Sequence, residues 1–248
     1  MTIEEESLQR ATSYFQPFPD ARSVFGGDYE KHREVILPLA TVDLSHLNES
    51  WHGPIHIVTP FEPCEGLIGE GFAEYHTYLN RTNWISYELK EGKIEYSGDW
   101  RVFSADKYSE YYSAVASGYS KAKDYFSDHG CLRYYTPAKI LRGKKREEKY
   151  GKKEITLGVI GGFCYDGNWA NLGDFPISRH GEWIDEDGEK QKIVSPITED
   201  GRLFEYIGSF EMNSFINGEG KARWALAASL VVFYDPQERV VLTTFEWT

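Results

Sequence analysis

The stretch Leu230-Val231-Val232-Phe233-Tyr234-Asp235-Pro236-Gln237-Glu238-Arg239-Val240-Val241-Leu242-Thr243-Thr244-Phe245-Glu246-Trp247 decides the fold class. It holds two runs of β-branched and aromatic residues around Asp235-Pro236-Gln237-Glu238. Proline is preset for the second position of a turn. The runs Trp224–Tyr234 and Val240–Trp247 therefore read as two strands of an antiparallel hairpin. Moving outward, Phe204–Phe210 reads as a third strand and Glu154–Ile160 as a fourth, running into Gly161-Gly162. Between them, residues 166–201 are rich in Gly, Asp and Glu and read as long loops.

The first half adds more strands. Val35–Leu44 is one, with Pro38 marking an edge or a bulge. Pro54–Phe61 is another, and Asn83–Leu89 with Lys93–Tyr96 predict a hairpin around Lys90-Glu91-Gly92. Three helices are predicted. A short one spans Thr2 to about Phe15, with Thr2 and Glu5 as a capping box and Gln16-Pro17-Phe18-Pro19 as its stop. A long one spans Ser104–His129, where Tyr108, Tyr111, Tyr112, Val115, Tyr119, Ala122 and Phe126 fall on one stripe and Gly130 takes the C-terminal position. Thr136-Pro137 opens a further helix that enters a basic cluster: Lys139, Arg142, Lys144, Lys145, Arg146, Lys149, Lys152 and Lys153. The fold class is α+β: β-rich mixed or antiparallel sheets with a long central helix and a short N-terminal helix. Residues 1–248 read as one domain, with two β-rich halves meeting near residue 150 as the open variant.

Composition bounds the function. Aromatic residues make up 15% of the chain, which favours strand faces and argues against disorder. The net charge of −12 repels nucleic-acid phosphate, so DNA and RNA are not expected partners. Opposite charge would steer a basic protein partner. The basic cluster carries +6 over residues 139–153, leaving −18 on the rest of the chain, and reads as a solvated connector. Cys64, Cys131 and Cys164 form no CxxC pair and no disulfide framework, which points to a reducing, cytoplasmic location. The acidic start lacks an apolar leader core, and no run of about 18 apolar residues is present.

Chemistry-bearing motifs are sparse. His52 and His56 fall on a strand, ~13 Å apart, too far to share a metal. Asp185-Glu186-Asp187-Gly188-Glu189 lacks the spacing of a calcium loop. Gly158-Val159-Ile160-Gly161-Gly162 lacks the dinucleotide fingerprint and the helix that should follow it. No nucleophile elbow occurs. Cys131 reads as structural, and the carboxylates flanking Cys64 oppose thiolate formation. No catalytic residue, metal ligand or cofactor is assigned.

One resemblance rests on five elements: Gly161-Gly162-Phe163; Gly167-Asn168-Trp169-Ala170-Asn171; Asp174-Phe175-Pro176-Ile177; Phe204-Glu205-Tyr206-Ile207-Gly208-Ser209-Phe210; and Leu230 through Pro236. Their order resembles the YwqG-like family of uncharacterised bacterial proteins over residues 158–248. The chain departs in carrying Ser209 or Glu211 where that pattern has a glutamine. Pro38-Leu39-Ala40-Thr41-Val42-Asp43-Leu44 is similar to a second such strand. The resemblance implies a β-rich fold with no assigned catalytic site, among proteins often found beside bacterial toxins as immunity factors.

The expected function is that of an immunity-type protein that binds and occludes a basic toxin. Its predicted contacts are Glu182, Asp185, Glu186, Asp187 and Glu189, with Trp183 as the anchor. The competing readings are a small-molecule-binding or hydrolytic enzyme with a cleft between two β-rich halves, and a non-catalytic scaffold.

Overall fold

The computed structural model describes residues 4–61, 67–103, 109–133, 154–184, 188–216 and 228–247. The hairpin that decides the fold class lies near its middle. Strands β11 (Ala228–Asp235) and β12 (Val240–Trp247) pair antiparallel, with Asp235 opposite Val240 and Ala228 opposite Trp247. Asp235 closes the turn by accepting from the backbone N–H groups of Gln237 (3.0 Å) and Glu238 (3.4 Å). Its carboxylate is itself buried and paired with Arg202 at 2.6 Å.

Around that hairpin grows a seven-stranded sheet in the order β1-β7-β10-β11-β12-β5-β6. The added strands are β1 (Glu6–Leu8), β5 (Trp84–Lys90), β6 (Lys93–Glu95), β7 (Gly158–Ile160) and β10 (Glu205–Glu211). The sheet thus interleaves strands from both sides of residue 150. A second sheet, β2-β3-β4, holds Phe15–Pro17, Ile36–Asp43 and Pro54–Pro60. The third is a two-stranded sheet of β8 (Ile177–Ile184) and β9 (Lys190–Pro196).

The continuous apolar runs follow from burial on both faces of the large sheet. Along β11, Leu230, Val232 and Tyr234 enter the main core, while Val231 and Phe233 enter a second cluster. The main core is shared with the three-stranded sheet and with the long helix α4 (Ser109–His129). Shorter helices α1 (Ala21–Val24), α2 (Tyr29–Val35) and α3 (Leu44–Leu47) precede α4, and α5 (Met212–Ile216) packs against it. The stripe Val115, Tyr119, Ala122 and Phe126 is buried, and the Tyr119 hydroxyl donates to the carbonyl of Pro38. That carbonyl sits where the β3–β4 register slips between Pro38 and Ala40. Pro38 therefore marks a bulge, and it does so on a central strand rather than an edge. Gly130, at φ +68°, caps α4 through its N–H to the carbonyl of Phe126 at 2.7 Å. The fold is mixed α+β with antiparallel sheets.

Two expectations are corrected. The short N-terminal helix is absent from the described part of Thr2–Phe15. Residues 6–8 instead form an edge strand, with Glu6 opposite Ile160 and Leu8 opposite Gly158. A local capping signal contributes about 1 kcal/mol, which a ladder plus burial of Leu8 outweighs. Residues 166–201 are not loops throughout, because β8 and β9 lie within them. The predicted helix after Thr136, the basic cluster 139–153, Cys64, Thr2 and Tyr108 lie outside the described residues. No helix among the described residues is long and apolar enough to cross a membrane.

Candidate interface on the β8–β9 arm

The arm is rooted in the second core cluster, which covers the outer face of the large sheet. Trp84, Trp169, Phe175, Phe204 and Phe233 are buried there with Val194 of β9. Trp84 and Phe175 stack at 4.4 Å, and Trp84 meets Trp169 edge-on at 5.8 Å. Polar tethers fix this layer. The Trp84 indole donates to the carbonyl of Leu172 at 3.0 Å, and the Trp169 indole to that of Tyr165 at 3.1 Å. Glu246 on β12 accepts from the N–H groups of Asn168 (3.1 Å) and Trp169 (2.8 Å). Gly173, at φ +80°, presses so closely on Thr82 that a Cβ would lie 1.7 Å from the Thr82 carbonyl oxygen. The segments Gly167–Asn171 and Asp174–Ile177, which carried the family resemblance, thus build this aromatic layer and the root of the arm.

From the root, β9 is tied to the body by a bridge from Ile193 to Tyr165 and by Val194 N–H to the carbonyl of Cys164 at 2.9 Å. Strand β8 lies outside β9. Among the described residues no other strand pairs with it. A bulge sets its faces. Arg179 pairs with Val194 and Gly181 with Ile193, so His180 drops out of register. Ile177, Arg179, Glu182 and Ile184 consequently share one face, and Ser178, Gly181 and Trp183 the other. Exposure follows these faces along the outer part of the strand: Arg179, Glu182 and Ile184 are exposed and Ser178, Gly181 and Trp183 half-buried, while Ile177 at the root is half-buried against the second core cluster. Ile184 is 61% exposed, the highest value for a large hydrophobic residue among those described.

Two of the predicted contact residues, Trp183 and Glu182, lie next to each other near the outer end of the arm but on opposite faces of β8. Trp183 stacks on Tyr165 at 5.3 Å with an interplanar angle of 24°. It is supported from behind by the neighbouring segment. Glu182 faces two lysines of its own hairpin, Lys190 at 3.3 Å and Lys192 still closer. These lysines hold its carboxyl below the usual range, and its charge is balanced within the arm. Arg179 makes a two-point contact with Asp166, the longer leg at 2.9 Å. Glu189 is exposed. Asp185, Glu186 and Asp187 lie outside the described residues.

A second cluster escaped sequence reasoning. The rings of Tyr14 and His46 stack at 3.5 Å and nearly parallel. Glu6 accepts from the Tyr14 hydroxyl through one oxygen and meets His46 Nε2 through the other at 3.4 Å. Burial, reinforced by that bond to Glu6, raises the Tyr14 phenol. Alongside runs a cavity of about 250 Å³ whose lining includes Thr12, Ser13, Tyr14, Asp43 and Gly53. The hydroxyl and N–H of Ser45 hold the Asp43 carboxyl below its ordinary value. Residues 6, 14 and 46 belong to different elements, and no spacing in the chain announces their meeting.

The remaining candidates resolve as structure. His56 is buried, bonded to Thr41 at 2.9 Å and to the carbonyl of Gly92 at 2.7 Å, and burial lowers its pKa. Cys131 and Cys164 are buried and free, and burial pushes the Cys164 thiol far up. Among the described residues no three His, Cys, Asp or Glu side chains gather to hold a metal ion.

No family model, curated protein or solved structure matches the chain.

Proposed function

We propose that the chain is an interaction protein of the bacterial immunity type, related to the YwqG-like proteins and acting in the cytoplasm. It binds a basic protein partner and occludes that partner's working surface. The observation that carries this reading is Trp183, a half-buried indole seated on Tyr165 at the approach to the run Asp185-Glu186-Asp187. A tryptophan held in place before contact loses little freedom on binding, and such anchors dominate interface energetics. The net charge of −12 supports fast capture of a basic partner. Glu182 is already balanced by Lys190 and Lys192, so its own charge adds little to that steering.

The test is capture of partners by the tagged chain from its native cells at low and high salt, with Trp183→Ala alongside. A basic partner bound at low salt, weakened as salt rises and weakened about thirtyfold in Trp183→Ala, is the expected result. Capture that is indifferent to Trp183 and to salt, or no capture at all, sinks the reading.

One observation favours a second reading, that of a small-molecule-binding or hydrolytic protein: the cavity lined in part by Tyr14 and Asp43, with Glu6 and His46 in contact with Tyr14 behind it. Titratable groups converging on a cavity are the usual mark of such a site. This cavity is lined by residues 12–54, away from any junction near residue 150. Saturable binding of a small ligand that is lost in Tyr14→Phe would shift the choice to this reading.

A further inference from the structure

We infer that β8 is a self-complementary edge through which two copies of this chain pair antiparallel about a twofold axis. The geometry follows from the bulge. The register with β9 runs through Ile177, Ser178, Arg179, Gly181, Glu182, Trp183 and Ile184, which makes seven ladder positions once His180 is excluded. Gly181 is the fourth. A twofold axis through Gly181 sets Ile177 against Ile184 of the second copy, Ser178 against Trp183, and Arg179 against Glu182, each pair occurring twice. Residues directly opposed across an antiparallel pair lie on the same face of the sheet. The bulge meets that condition. Without it, Arg179 and Glu182 would fall on opposite faces, as would Ile177 and Ile184. At the axis stands glycine, the residue that marks close approach of a second backbone.

The side chains fit the register. On the exposed face the order across the seam is Lys192, Glu182, Arg179 of the second copy, then Asp166 of that copy. Within each chain the outer contacts already exist, Lys192 to Glu182 and Arg179 to Asp166. The seam inserts one attraction between two formed pairs, so these four charges alternate in sign, with Lys190 as a further cation on Glu182. The exposed Ile184 gains an apolar neighbour in Ile177. Edge strands are ordinarily guarded against pairing by charges and bulges. Here the charges are of both signs and placed symmetrically, and the bulge brings them into phase, so the usual defences become specificity for a copy of the same strand. An isologous contact of this kind closes at two subunits and leaves no second edge for growth.

Oligomeric state is read on the isolated chain, so this inference stands or falls apart from the Trp183 partner reading. Sedimentation velocity across a concentration series is expected to show a reversible species of twice the 28.5 kDa chain mass. Ile184→Lys places a charge opposite Ile177 twice per dimer and is expected to weaken association about a hundredfold. The site is exposed, so near-ultraviolet circular dichroism should be unchanged. Arg179→Glu and Glu182→Arg are each expected to be monomeric where the wild type is dimeric, since each sets like charges against one another. Mixed together, they restore opposite charge at both seam positions and should form a heterodimer. A wild-type chain that stays monomeric at every concentration overturns the inference. So does a dimer that persists in Ile184→Lys, or a mixture of the two charge variants that fails to associate.

Discussion

Gly173→Ala tests the aromatic layer that supports the arm. The glycine has φ +80°, and an added Cβ would stand 1.7 Å from the Thr82 oxygen, 2.8 Å from its carbon and 3.1 Å from Trp84 Cδ1. Leaving the left-handed region unrelieved costs alanine about 1–2 kcal/mol. The overlap is with backbone, so no rotamer change removes it. The segment must lift, and forced repacking of this kind costs about 1–3 kcal/mol. Lifting also stretches the bond from the Trp84 indole to Leu172, worth about 1 kcal/mol. The expected destabilisation is about 3–6 kcal/mol. Gly201→Ala is the control: its φ is +89°, but nothing lies within 4 Å of its added Cβ, so about 1 kcal/mol is expected. Urea unfolding followed by tryptophan fluorescence reads both, because Trp84 and Trp169 sit in the affected layer. Equal, small losses in the two variants would refute the close approach of residue 173 to Thr82.

Glu246→Ala leaves the N–H groups of Asn168 and Trp169 without their acceptor and should cost about 2 kcal/mol in the same assay, with Glu246→Gln intermediate. A loss below about 0.5 kcal/mol would show that water replaces the carboxylate. Two buried histidines predict the pH response. His32 Nδ1–H donates to the Asp28 carbonyl while Nε2 accepts from the Tyr96 N–H, so the ring is neutral. Burial lowers its pKa from 6.5, as it does for His56. Between that lowered value and 6.5 the unfolded chain binds more protons than the folded one, so stability rises with pH. The contribution is complete above about 6.5 and fades as pH falls through the folded pKa. Unfolding free energies at about pH 7.5 and 5.5 should therefore differ less in His32→Phe than in the wild type; equal differences would remove His32 from the account.

What the sequence reveals and what it hides divide along physical lines. Strands β3, β4, β5, β11 and β12 were legible because each has a partner within a few turns of chain and its run is rich in apolar, β-branched and aromatic residues. The buried stripe Val115, Tyr119, Ala122 and Phe126 was legible because helical spacing is local, and so was its glycine cap. Strand β1 was hidden because its partner, β7, lies about 150 residues away (Glu6 opposite Ile160), while Thr2 and Glu5 offered a nearby and misleading helical signal. Strand β8 was hidden by its bulge: skipping His180 breaks the alternation of Ile177, Arg179, Glu182 and Ile184, and its polar residues resemble loop. Trp183 stood out in the sequence as a residue of interest, but its seat on Tyr165 lies beside a bridge between Tyr165 and Ile193 that no periodicity encodes. The meeting of Glu6, Tyr14 and His46 was equally out of reach.

The position of β12 between β11 and β5 sets an order of events during synthesis. One edge of β5 pairs with β6 directly after it, but along the other edge residues 84–88 find their partner only in residues 240–244, so that edge leaves the ribosome long before the strand that satisfies it exists. Until then the edge of Trp84-Ile85-Ser86-Tyr87-Glu88-Leu89-Lys90 is open, apolar and ready to pair with any passing strand. Chaperone dependence of the nascent chain, and a yield that falls sharply when residues 240–247 are removed, are the cellular price of inserting a late strand into the middle of the sheet.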